Sequence, residues 1–170
     1  MSDELVLVDL KDRTIGSGEK LWVHQNDKLH RAFSVFVVDG NKMLLQKRNI
    51  LKYHSGGLWA NACCSHPRKG EELRTAVKRR MLEEIGVSAE FKEIFSFIYR
   101  SEYNNKLTEY EFDHVFICNY SGDVWPDKSE IDKINWVDID WLKKDVVSNP
   151  SSYASWFLIA LPRVLEYLEK

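Results

Sequence analysis

The sequence predicts a mixed α/β sandwich of the α/β (α+β) class, on three observations. Strand-like segments come in runs that helices interrupt, instead of alternating strictly with them. Asp39-Gly40-Asn41 is a strong hairpin turn between two apolar segments. Leu73, Ala76, Val77, Met81 and Ile85 recur at helical spacing. A doubly wound parallel sheet fits these signals less well.

Taken in order, Leu5-Val6-Leu7-Val8 is a short apolar strand candidate, and Asp9 to Gly18 a polar stretch with turn residues. Lys20 to His30 has few periodic apolar positions and reads as loop. Arg31 to Val38 is β-branched and aromatic, and with Met43 to Arg48 it makes the hairpin. Asn49 to Gly57 is polar and suits a loop, as does the following stretch through Gly70 with its two adjacent cysteines. Glu72 to Ile85 is the amphipathic helix, and Gly86 follows its last periodic residue as a C-cap. Glu93 to Arg100 and Lys106 to Tyr120 are strands about an Asn104-Asn105 turn. Ile134 to Val137 is a last short strand. Asp140 is placed to cap a helix from Trp141, and Ser152 to Glu169 is a C-terminal helix that Pro162 is expected to kink.

The 170 residues, with no repeat or composition break, suit one domain, 1–170. A net charge of -2 gives no reason to expect nucleic acid or a membrane surface as partner, so anion binding has to be local. No apolar run reaches the roughly 20 residues of a membrane span. The acidic start Met1-Ser2-Asp3-Glu4 is unlike a signal peptide. Three cysteines make no disulfide framework, which points to a reducing, cytoplasmic setting.

Chemistry concentrates in a few places. On the strand around Glu109, alternation puts Glu109, Glu111 and Asp113 on one face. That is either a solvated edge or a carboxylate pair for a metal or for acid–base work. Of the five histidines (His24, His30, His54, His66 and His114), His24, His30 and His66 fall in segments read as loops. Joined by two carboxylates they would make a five-ligand N/O site for zinc, manganese or magnesium, although their spacing is no chelate motif. Arg80 and Glu84 share a helix face: an exposed salt bridge, or a phosphate-holding arginine beside a magnesium-holding carboxylate. Lys20, Arg48 and Lys52 are available to the same anion site. Cys64 beside His66 is either a tuned thiol or an inert buried one. Cys63, its neighbour in extended chain, faces the other way.

Gly70-Glu71 followed by Arg79-Arg80-Met81-Leu82-Glu83-Glu84-Ile85-Gly86-Val87 resembles the Nudix box, with Ser65 at its first glycine and Arg80 in place of a metal-binding glutamate. That replacement argues against a diphosphate hydrolase. Leu29 to Ser34, Cys63-Cys64-Ser65-His66-Pro67 and Glu109-Tyr110-Glu111 together resemble the type 1 isopentenyl-diphosphate delta-isomerases, over Val6 to about Phe157. Ala60 stands where that family usually has threonine.

The resemblance implies a Nudix-like mixed sheet sandwiched between helices. It also implies interconversion of isopentenyl and dimethylallyl diphosphate, in isoprenoid biosynthesis, through a tertiary carbocation. Cys64 and Glu111 match the proton-transfer pair. His24, His30, His66, Glu109 and Glu111 match the ligands of one divalent metal (manganese, zinc or magnesium). Glu84 and the Cys64 carbonyl match those of a magnesium ion that accompanies the diphosphate. Lys20, Arg48, Lys52, Ser65 and Arg80 match positions around the diphosphate, and Tyr99 and Trp156 those near the hydrocarbon. A monomer or weak homodimer acting on a small molecule is expected. The alternatives are a Nudix-type diphosphate hydrolase and a catalytically inactive Nudix-fold binding module.

Overall fold

A computed structural model describes residues 3–170; Met1 and Ser2, the start of the stretch read as unlike a signal peptide, lie outside the described residues. The chain begins with an antiparallel pair, β1 (Glu4–Val8) and β2 (Thr14–Glu19). The expected turn stretch is therefore partly strand. Thr14, Ile15 and Gly16 are exposed on it, and an exposed strand leaves no apolar alternation to read. Glu19 closes β2 and caps α1 (Lys20–Gln25), accepting from the Leu21 and Trp22 N–H groups at 3.1 and 3.2 Å. The loop expected there is corrected to a helix, which at under two turns is too short to show a period.

β3 (His30–Asp39) and β4 (Lys42–Arg48) form the expected hairpin, with Gly40 at φ 58, a left-handed turn conformation that costs glycine little. Beyond Leu44 the two strands part. β5 (Trp59–Asn61) pairs with β4, and β6 (Cys63–Ser65) pairs with β3. The stretch read as loop is thus a corner whose two arms, three residues each, are too short for a periodic signal.

α2 (Leu73–Ile85) starts at Glu72, and Gly86 ends it at φ 66, its N–H bonded to the Met81 and Leu82 carbonyls. β7 (Lys92–Glu102) and β8 (Thr108–Asn119) form a second antiparallel pair, and β8 runs parallel to β3 from His30↔Glu111 to Val38↔Asn119. β8 is flanked on both sides, so its carboxylates do not sit on a solvated edge. β9 (Ile131–Asp138) joins β4. Asp138, not Asp140, caps α3 (Ile139–Ser148), accepting from the Trp141 N–H at 3.0 Å. The helix starts two residues earlier than expected because Ile139 docks into the core. A 3-10 turn, Pro150–Ser152, leads to α4 (Ser155–Leu168). α4 continues as one helix across Pro162, which faces solvent.

Strand alternation divides the core. Phe33, Val35 and Val37 point to one face and pack with Ala76, Val77, Met81 and Ile85 of α2. Phe36 and Val38 point to the other, against Trp156, Phe157, Ala160 and Leu161 of α4. The result is a mixed sheet between helices, as expected. Cys63 falls in the α2 layer and Cys64 against the α4 layer.

Candidate active site

The parting of β3 and β4 opens a partly open cavity of about 70 Å³ between the two core layers. Cys64, Ser65 and His66 reach it from β6 and just beyond, Glu109 and Glu111 from β8, and Tyr99 from β7. Lys20, Arg48, Lys52, Arg80, Glu84 and Trp156 line the same space. His24 and His30 stand behind His66, with ring centroids 6.0 and 5.0 Å from it. Twelve of the fourteen residues matched to the site line this cavity; His24 and His30 do not, and neither do Asp113 and His114.

Burial and hydrogen bonds fix the histidine cluster. His24 Nδ1 sits 2.6 Å from the Lys20 carbonyl and His30 Nδ1 2.9 Å from the Lys28 carbonyl. Each carbonyl can only accept, so it selects the tautomer with the proton on Nδ1 and leaves Nε2 bare. Both Nε2 atoms are buried and have no hydrogen-bond partner. The His24, His30, His66 and Glu111 ligand atoms all lie within 4.8 Å of one another. Burial, then the neighbouring His30, pushes the His24 and His66 imidazoles down, the latter well down, to the neutral form that binds metal. These residues fit a divalent cation.

Glu111 is held at both oxygens: His66 Nε2 lies 3.0 Å from Oε1, and the Tyr99 hydroxyl donates to Oε2 at 2.7 Å. Burial pushes its carboxyl up, but His30, Glu109 and Tyr99 outweigh it and hold it down at about 2. Cys64 is the opposite case, its thiol pushed well up by burial, with Glu84 and Asp113 adding to the shift. Asp113 is likewise buried and pushed well up, accepting from Ser34 at 2.8 Å while its Oδ1 has no partner.

A residue that sequence reasoning missed positions the thiol. Asn61, fully buried at the β5–β6 corner, donates to the Val35 and Cys63 carbonyls at 3.1 and 2.9 Å. Its Oδ1 accepts from the Cys64 thiol at 3.2 Å and from Trp156 Nε1 at 3.1 Å. Asn61 opens the Asn61 to Pro67 stretch that carries the family resemblance, but a lone asparagine has no spacing that would assign it a role. His54 and Glu130 were missed for the same reason. Glu130 pairs with Lys52 and lies 3.6 Å from Arg80.

The basic residues crowd the other part of the cavity. Burial first, and the Lys52 charge next, push the Lys20 ammonium down. Arg80 binds Glu84 and donates to Glu83 at 2.7 Å, yet its Nε and that of Arg48 are buried without partners. Glu84 is buried, so the Arg80–Glu84 pair is no surface salt bridge. Unsatisfied guanidinium donors in a shared cavity suit an anion.

The NUDIX domain model matches residues 28–157. The isopentenyl-diphosphate Delta-isomerase 2 of Aromatoleum aromaticum is 46% identical over 166 residues, covering 97% of this chain and 88% of that one. The chain belongs to the isopentenyl-diphosphate Delta-isomerase family of NUDIX proteins. The isomerase of Burkholderia multivorans is 43% identical, covering 96% of this chain and 93% of that one. Fold similarity extends further: a Deinococcus radiodurans crystal structure, DR0079, superposes with a TM-score of 0.77 at 15% identity, covering 94% of this chain and 98% of that one. Arg80 stands on α2, where Glu84 answers its charge.

Proposed function

We propose that the chain, acting as one domain, interconverts isopentenyl and dimethylallyl diphosphate, with Cys64 and Glu111 moving the protons. The observation that carries this reading is that Cys64 and Glu111 line one cavity together with the basic residues Lys20, Arg48, Lys52 and Arg80. The Cys64–Glu111 pair rests as S–H and carboxylate, with one proton shared over two groups. Isomerisation uses that stock: one group protonates an alkene carbon, a tertiary cation forms, and the other group takes a proton two carbons away. Each turnover leaves the two groups with exchanged protonation states; proton exchange with solvent restores the starting forms, and the reverse reaction begins from the exchanged ones.

The remaining residues bind and shield. Lys20, Arg48, Lys52, Ser65 and Arg80 hold the diphosphate. Tyr99 and Trp156 present ring faces that stabilise a cation without offering it a nucleophile; Arg48 lies 5.0 Å over the Trp156 ring, joining the two regions. His24, His30, His66, Glu109 and Glu111 hold a divalent metal (manganese, zinc or magnesium), and Glu84 with the Cys64 carbonyl holds magnesium arriving with the diphosphate. A cation held there would steady Glu111 and lower its basicity. The Tyr99 hydroxyl, donating to Glu111 Oε2, acts in the same direction.

Incubation with magnesium and isopentenyl diphosphate tests the reading, with product and phosphate both measured. Dimethylallyl diphosphate without phosphate release is expected. Phosphate released from diphosphates would favour a hydrolase, and no product at all a binding module.

A further inference from the structure

The loop between β4 and β5 carries a histidine to which the chemistry above gives no task. His54 is buried, 7% exposed, although its neighbours Leu51 and Tyr53 are exposed. Its Nε2 lies 3.1 Å from Glu109 Oε1. The Tyr103 hydroxyl donates to the other oxygen, Oε2, at 3.0 Å. The His54 ring stacks on Tyr103, centroids 4.9 Å apart, and stands edge-on to Tyr53 at 4.6 Å. An ionised carboxylate only accepts, so this contact places the imidazole proton on Nε2.

The grouping of ligand atoms gives the contact its meaning. His24, His30, His66 and Glu111 form one set within 4.8 Å, and Glu109 is not in it. Glu109 belongs instead to a second set with His24 and His54. His24, whose Nε2 is buried and without a partner, is common to both. The orientation of Glu109 is therefore set by His54 of the loop and by Tyr103 of the β7–β8 turn.

We propose that His54 is a positioning residue for the metal centre: its Nε2–H holds the Glu109 carboxylate toward His24 and makes the Asn49–Gly57 loop part of the metal site. This rests on the reading that the His/Glu cluster holds a divalent cation. It gives the loop two tasks, since Lys52, two residues earlier, lines the anion part of the cavity. The loop is moored for both, with Asn105 Nδ2 donating to the Tyr53 carbonyl at 2.6 Å and the Gly57 N–H to the Arg48 carbonyl at 2.9 Å. Partners that orient a metal ligand typically change affinity by about 10–100-fold when removed.

The test measures metal affinity without substrate. Full-length wild type, His54→Ala and His54→Gln are stripped by chelator, then titrated with Mn²⁺ or Zn²⁺ against a competing fluorescent chelator. Thermal melts report folding. The alanine variant should bind about 10–100-fold more weakly, and the glutamine variant, whose amide N–H can replace Nε2–H, should recover most of the loss. His54→Asn, whose amide stops short of Glu109, carries the comparison should the alanine variant not fold. Wild-type affinity in the alanine or asparagine variant would overturn the proposal. Equal loss in the alanine and glutamine variants would overturn the positioning role and make the imidazole itself a ligand. A wild type that takes up no ion would overturn the metal reading itself.

Discussion

Cys63 and Cys64 are adjacent and chemically identical, yet the strand sends them to different layers. Cys63 is fully buried under α2, while Cys64 reaches the cavity and bonds Asn61. Cys64→Ala should abolish isomerisation and keep the fold, whereas Cys63→Ala should retain turnover and lower the melting temperature through a small core cavity. Loss in the second variant alone would place the proton-transfer thiol at Cys63. The raised Cys64 thiol gives a pH dependence. A free cysteine ionises near pH 8.5, so alkylation of the folded protein by iodoacetamide should stay slow there and accelerate only at higher pH. The same shift has a sign for stability. A raised folded value keeps its stabilisation below the unfolded value and loses it as pH rises past that value. Alkaline pH should therefore weaken the fold. Glu109→Gln should cost rate mainly by loosening the metal, so excess Mn²⁺ should restore much of the activity; full metal affinity with full activity would contradict it. Cys64, Glu111, His30 and His66 were legible because they stand in motifs, and His24 only through the family resemblance. The roles of Asn61, His54 and Glu130 were not, because they exist only once distant elements meet.

Among the elements, α2 was the most legible, since burial of one face imposes a period and Gly86 marks its end. Gly86→Ala should destabilise the protein by about 1–2 kcal/mol, because φ 66 is a left-handed conformation that L-residues resist. The added Cβ would also meet Trp125 Cβ at 3.0 Å. A melting temperature lowered by several degrees checks this; an unchanged one would mean the α2 terminus relaxes freely. β3 and β8 were legible through β-branched and aromatic content, and their parallel pairing sets His30 opposite Glu111. α1, β2, β5 and β6 were not legible, since each is too short or too exposed for periodicity to register. Two of the missed elements carry site residues: α1 brings His24 and Lys20, and β6 brings Cys64 and Ser65.

At the scale of the molecule, two cores on opposite faces of one sheet hold a polar cavity open where β3 and β4 part. The arrangement gathers His and Glu side chains that could hold a metal, Cys64 with Glu111, and a group of basic residues in and beside one cavity. None of the described helices is long and apolar enough to cross a membrane. The central claim is that two protein groups, and no direct hydrogen shift, move the double bond. Turnover of isopentenyl diphosphate in D₂O, followed by proton and deuterium NMR, tests it. Cys64 and Glu111 exchange with solvent, so the methyl group newly formed in dimethylallyl diphosphate should carry deuterium, with no phosphate released. An isomer formed without deuterium would contradict the account.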